Sequence, residues 1–304
     1  MMQTNKIAIV CVACGSPTRH FSRLPARFDP TRTKSNMSDY ILYSQCLHCG
    51  TIQQNPLPAE ADLSKLVKFE YAQSEERIAD ETTNSDKLEH HHRAIVETLK
   101  RHRVIKDVFE VGTGIGNLCA YLLSDGITCS GIELSPKLVE IAKKRGLPII
   151  QKDMYEITNA ESFSALIMSN VFEHLCDPDR ALAHIYALLK PSSLFITDQP
   201  TASMTNILSR AIRLNRLNAD SRLRLSYLNL QQWHIVIYSI QGMVTLAAKH
   251  GFELIELIPM PSLKEKGLLG MVRKAYQTFN TVGEWLIPKR WPFHVNYLFI
   301  FQKK

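Results

Sequence analysis

Val108-Phe109-Glu110-Val111-Gly112-Thr113-Gly114-Ile115-Gly116-Asn117 is the stretch on which the reading of the chain turns. Val108, Phe109 and Val111 read as a short buried strand, and Leu118, Ala120, Tyr121, Leu122 and Leu123 begin a helix. Gly112, Gly114 and Gly116 force a tight turn between them, since only glycine lets a ligand come this close to the main chain. Strand, glycine turn and helix N-terminus together make a site for a nucleotide-type ligand. The dinucleotide pattern, G-x-G-x-x-G, fits poorly. Its third glycine comes one residue early here, and Asn117 stands where that pattern has Gly. Glu110, two residues before the first glycine, suits a ligand with an ammonium group and no phosphates.

Three further segments follow in order. Ile127 to Glu133 reads as a second strand ending in an acid, at the distance where nucleotide-binding βαβ units place a carboxylate on the ribose. Pro136 to Lys144 reads as a helix with Leu138, Ile141 and Ala142 inward, and Ile149 to Met154 as a third strand. Ala165 to Asn170 is a fourth strand, followed by Val171-Phe172-Glu173-His174-Leu175-Cys176-Asp177-Pro178. The glycine stretch resembles motif I of the class I S-adenosylmethionine (SAM)-dependent methyltransferases, and the segment after the fourth strand resembles their Glu-His-Leu-x-Asp-Pro.

That resemblance implies an α/β, Rossmann-like, doubly wound seven-stranded sheet with an antiparallel last strand and the cofactor at the strand C-terminal edge. It implies that Glu110, Gly112, Gly114 and Gly116 hold the aminocarboxylate end of SAM. Glu133 would take the ribose, Asp153 and Met154 the adenine, and Asn170 would lie at the same edge. Ser164-Ala165 departs from the family, whose members often carry Phe-Asp before the fourth strand.

The N-terminal residues read differently. Cys11-x-x-Cys14 and Cys46-x-x-Cys49, each followed by Gly, are two knuckles whose four thiolates suit a closed tetrahedral zinc site with no catalytic vacancy. Residues 1–60 are expected to form a small module resembling the zinc-ribbon leader of many bacterial class I methyltransferases. Tyr40 to Tyr43 is its expected strand. Residues 61–304 then form the methyltransferase domain, with a helical cover over 61–105 and insertions at 201–232 and 261–292. The run His90-His91-His92 cannot share one helix face and is not expected to bind metal.

The seven cysteines and the lack of a signal-peptide layout lead to the expectation of a reduced, cytoplasmic protein, and no apolar run is long enough to span a membrane. The net charge of +7 comes from the last third, where residues 201–304 carry 14 basic and 5 acidic side chains. Arg210, Arg213, Arg216, Arg222 and Arg224 alternate with apolar residues in the first insertion. The second carries Met271, Phe279, Val282, Trp285 and Leu286. A lid over an anionic, phosphorylated acceptor and a peripheral membrane-surface helix are both open readings, as is ordinary surface charge.

Methyl transfer from a sulfonium needs alignment above all, and an oxygen or nitrogen acceptor also needs a proton removed. His174, just past the fourth strand, and His234, which opens the segment Trp233 to Ser239, are the candidate catalytic bases. The zinc-leader resemblance points to a small-molecule or saccharide-type acceptor. A zinc-ribbon nucleic-acid-binding protein and a methyltransferase acting on a macromolecule are the alternatives, although no nucleic-acid motif is present. The glycine spacing argues against a nicotinamide enzyme. The acceptor atom and oligomeric state are not encoded in any motif.

Overall fold

A computed structural model describes residues 10–25, 40–59, 89–207, 234–261, 267–287, 291 and 293–304. Residues 61–88 of the expected helical cover, the arginines from Arg210 to Arg224 and Trp233 lie outside these residues.

The central sheet has seven strands in the order β6-β5-β4-β7-β8-β11-β10. These are β4 (Val108–Val111), β5 (Cys129–Glu133), β6 (Ile149–Gln151), β7 (Phe163–Ser169), β8 (Leu189–Pro200), β10 (Phe252–Met260) and β11 (Asn296–Lys303). The strands from β6 to β8 pair in parallel, while β11 runs antiparallel to both β8 and β10. The antiparallel last strand expected from the sequence is therefore present.

Alternation along the strands divides the core between two faces. Ala165 and Ile167 of β7, Leu194 and Ile196 of β8, and Leu298 and Ile300 of β11 face one side. There they meet Ile95, Val96 and Leu99 of α1 (Glu89–Arg101), Leu118 and Leu122 of α2 (Asn117–Ser124), and Val139 and Ala142 of α3 (Pro136–Lys144). Leu166, Met168, Phe195, Phe299 and Phe301 face the other side, against Leu182 and Ile185 of α4 (Pro178–Leu188) and Met243 and Leu246 of α5 (Ile240–Lys249).

Local chemistry starts these helices where they start. Ser135 accepts from the Leu138 N–H and is followed by Pro136; Asp177 accepts from the Arg180 N–H and is followed by Pro178.

β8 is longer than its apolar run, Leu194 to Ile196. It continues through Asp198 and Gln199, both fully buried, because β11 pairs with it as far as Asn296↔Pro200. A polar end to a buried strand marks a place where something other than the apolar core has to satisfy it.

A second, antiparallel sheet runs β1 (Thr18–Pro25), β2 (Tyr40–Cys46), β3 (Ile52–Gln54) and β9 (Val236–Ile237). Its closing strand comes from far along the chain, with Ile52 opposite Ile237 and Gln53 opposite Val236. The cysteine knuckles pack into the same core as Met243 and Tyr238. Between β10 and β11 lies a long helix, α6 (Gly267–Leu286), whose Met271, Val282, Trp285 and Leu286 are exposed. No helix among the described residues is long and apolar enough to cross a membrane.

Candidate active site

The glycine loop joins the C-terminal end of β4 to the start of α2. Gly112 and Gly116 have φ of 75° and 83°. A Cβ on Gly112 would lie 2.5 Å from Val171 Cγ2, and one on Gly116 would lie 2.5 Å from Leu147 Cδ1. Backbone conformation and space therefore both demand glycine there. No side chain caps α2, which leaves its first N–H groups facing the loop.

Glu110 is buried beneath this loop and its Oε2 has no hydrogen-bond partner. Burial pushes its carboxyl well above the usual range, and the nearby Cys119 and Glu133 push it further. An orphaned buried carboxylate oxygen beside a glycine cradle fits a cationic ammonium group. Glu133 accepts from the Gly114 N–H at 3.0 Å and the Ser135 N–H at 2.9 Å, so it stands across the loop from the helix N-terminus. Asp153 opens a single 3₁₀ turn, Met154–Glu156, by accepting from the Tyr155 N–H, while Glu156 accepts from the Asp153 N–H. Met154 is buried behind it. Asn170 ends β7 at φ 53°, a left-handed conformation uncommon outside glycine. Its N–H donates to the Asp198 carbonyl at 2.7 Å.

The residues predicted from sequence as cofactor contacts therefore all lie on the C-terminal ends of β4, β5, β6 and β7 or on the turns that leave them. Their fit is consistent with an aminocarboxylate at Glu110 and a ribose at Glu133. The unpartnered oxygen of the first and the hydrogen-bonding capacity of the second are what such a ligand would use.

A second group of side chains collects past β7. Phe172–His174 forms one 3₁₀ turn that buries Glu173 completely. The His174 and His234 rings stand 5.3 Å apart between centroids, and His174 Nε2 lies 3.9 Å from Glu173 Oε1. Burial, and then the neighbouring His174, lower the pKa of His234 to about 3, so its imidazole is neutral.

The position of His234 is set from the N-terminal sheet. Its carbonyl accepts from Tyr43 Oη and Gln54 Nε2, both at 3.3 Å. The next residue, Ile235, donates its N–H to the Glu173 carbonyl at 3.0 Å and accepts from the Gln54 N–H at 2.8 Å. The two candidate histidines are thus brought together by hydrogen bonds between segments far apart in the chain.

Sequence reasoning did not single out three other participants. Glu173 sits inside a quoted motif with no role assigned. Asp198 pairs with His91 at 2.5 Å, and His91 Nε2 lies 3.1 Å from the Pro261 carbonyl. The Tyr238 hydroxyl is buried without a partner. The histidine run was the only signal for His91; one member is exposed and two are buried, as their angular separation requires.

Cys11, Cys14, Cys46 and Cys49 converge with their sulfurs all within 4.8 Å of one another. Cys11 Sγ to Cys49 Sγ is 3.7 Å and Cys14 Sγ to Cys46 Sγ is 3.5 Å. Sulfurs held at the usual zinc–thiolate distance stand about 3.8 Å apart on a tetrahedron, whereas a disulfide would need about 2.05 Å. The donor set fits a structural zinc. Cys49 Sγ also contacts Thr51 Oγ1 at 3.3 Å, and Thr51 Oγ1 in turn accepts from the Ser239 N–H at 3.2 Å. The cluster is therefore tied to the cap of α5.

A family model described as a methyltransferase domain matches residues 82–257, more than half of the chain. The chain belongs to this methyltransferase family. Among curated proteins it is 30% identical over 114 residues to the uncharacterized methyltransferase OB1106 of Oceanobacillus iheyensis, covering 36% of this chain and 53% of that protein. It is 28% identical over 99 residues to the ubiquinone biosynthesis O-methyltransferase of Coxiella burnetii, covering 28% of this chain and 40% of that one. The chain thus spans about half the length of the curated relatives it matches. In fold it resembles a chain of the complex between the Haloferax volcanii Trm112 methyltransferase activator and a methyltransferase. That match has 17% identity and a TM-score of 0.50, over 76% of this chain and 98% of that one.

Proposed function

We propose that the protein transfers a methyl group from SAM to a small-molecule acceptor. The observation that carries this reading is the buried Glu110 under the glycine loop, whose Oε2 has no hydrogen-bond partner, with Glu133 held across it. SAM supplies an electrophilic methyl on a sulfonium, and transfer is an in-line displacement. Glu110 and the N–H groups at the start of α2 hold the aminocarboxylate end, Glu133 the ribose hydroxyls, and Asp153 with Met154 the adenine. His174 and His234 face the acceptor side. The name of the Coxiella relative supports oxygen on a small molecule as the acceptor atom. A saccharide-type or phosphorylated acceptor is the finer form of the proposal, resting on the leader resemblance and the basic last third of the chain. Zinc on the four cysteines completes the proposed protein.

Mass spectrometry of a small-molecule extract incubated with the protein and methyl-deuterated SAM tests the proposal. The expected result is a labelled low-molecular-weight product together with S-adenosylhomocysteine. Label found only in protein or nucleic acid would overturn the small-molecule assignment.

One observation favours a further contact. Met271, Val282, Trp285 and Leu286 recur at helical spacing along α6, and Trp285 is 80% exposed. An exposed apolar stripe on a basic segment suits an anionic membrane surface. Flotation with anionic vesicles should carry the protein upward, and Trp285→Ser with Leu286→Ser should abolish this. A wild-type protein that stays at the bottom would discard the membrane reading.

A further inference from the structure

We propose that Glu173, His174 and His234 form a second metal site, separate from the four cysteines, for one first-row divalent cation. One carboxylate oxygen and one nitrogen from each imidazole lie within 4.8 Å of one another. Donors at metal-ligand distance stand about 3–4 Å apart around a common ion, so small side-chain rotations close the set.

An independent observation points the same way. Both Glu173 oxygens are buried and neither has a hydrogen-bond partner; the buried His234 Nδ1 also lacks one. Folded chains rarely leave such groups unsatisfied, and an isolated buried carboxylate is costly. A cation would remove that penalty at a stroke. The two ligand-bearing segments are already fastened together by the bond from the Ile235 N–H to the Glu173 carbonyl.

One carboxylate and two imidazole nitrogens leave a divalent ion with net positive charge and open coordination positions, the pattern of catalytic rather than structural sites. Val171, two residues before Glu173, lines the glycine loop at Gly112, so the trio adjoins the proposed cofactor site. What the ion does rests on the methyl-transfer reading above. Its open positions take an acceptor hydroxyl flanked by a second oxygen donor and make that hydroxyl easier to ionise. In the transfer the hydroxyl proton goes to solvent water and the new O–C bond forms. The sulfonium C–S bond breaks with its electron pair on sulfur, giving S-adenosylhomocysteine.

The test is a manganese titration of protein whose cysteine site is already filled with zinc, followed by loss of the free-Mn²⁺ resonance, with no SAM present. About one manganese per chain is expected, and Glu173→Gln and His234→Ala should each weaken it roughly tenfold or more. Glu173→Gln should be at least as heat-stable as wild type without metal, while losing the rise in Tm that Mn²⁺ gives wild type. The proposal is overturned if wild type takes up neither Mn²⁺ nor Co²⁺ beyond the cysteine site. It is equally overturned if both variants bind as wild type does. SAM calorimetry on the same samples reports separately on the methyl-transfer reading, whatever the metal count.

Discussion

The glycine-loop half of the site and the half carrying Glu173, His174 and His234 are assembled by different means. Glu110, Gly112 to Gly116, Glu133 and Asp153 come from one run of fewer than fifty residues, each at the end of a successive parallel strand. Their geometry follows from the βαβ repeat itself. In the other half, His234 is set beside Glu173 and His174 by the bond from the Ile235 N–H to the Glu173 carbonyl and by Tyr43 and Gln54 of the N-terminal sheet, which hold the His234 carbonyl. The first half is a property of local chain geometry; the second depends on the N-terminal sheet staying folded.

Loss of the cysteine site should separate the halves most sharply. Cys46→Ser should remove the zinc, cost on the order of several kcal/mol in stability because metal binding is coupled to folding, and lower turnover about tenfold through a displaced His234. SAM affinity should stay within roughly twofold, since the glycine loop shares no partner with Cys46. Elemental analysis, kinetics and calorimetry on one preparation measure all three. Equal losses of turnover and SAM affinity would join the two halves.

The converse disturbance is Gly131→Val. A Cβ at Gly131 would lie 2.4 Å from Thr113 Cγ2 and 2.7 Å from the Glu110 carbonyl. Overpacking of this kind costs about 1–3 kcal/mol and should move the glycine loop. SAM affinity should fall while zinc content and the spectroscopic environment of the cysteine site stay unchanged.

A smaller effect concerns acid. His92 of α1 is buried against Tyr121 of α2, ring centroids 5.8 Å apart. Burial, followed by His91, lowers its pKa to about 4, partly opposed by Asp198. The unfolded chain therefore takes up a proton near the ordinary histidine value of about 6.5 while the folded chain does not. The stability His92 permits is complete above that pH and falls as pH drops towards about 4, by on the order of 1–3 kcal/mol. Replacing His92 with Leu should flatten this part of the Tm–pH curve. An unchanged curve would place the acid sensitivity elsewhere.

The same contrast decides what the sequence makes legible. A glycine run, an acid at a strand end and a Pro after a capping Asp are local signals, so β4 to β7 and their helices could be read directly. The pairing of β9 with β3 could not, because two residues of strand carry no periodicity. Nor could the burial of Glu173, Asp198 and Gln199: their environment is made by β11 and the N-terminal sheet, which arrive from opposite ends of the chain. His91 was visible only as one of three histidines, and its role appears once β8 is seen to extend to Asp198.

Calorimetry at the glycine loop tests the central claim most directly. The account predicts that SAM and S-adenosylhomocysteine bind, that NAD does not, and that Glu133→Ala weakens SAM by about 1.5–3 kcal/mol through loss of charge-assisted hydrogen bonds. Binding of NAD with no binding of SAM would contradict it.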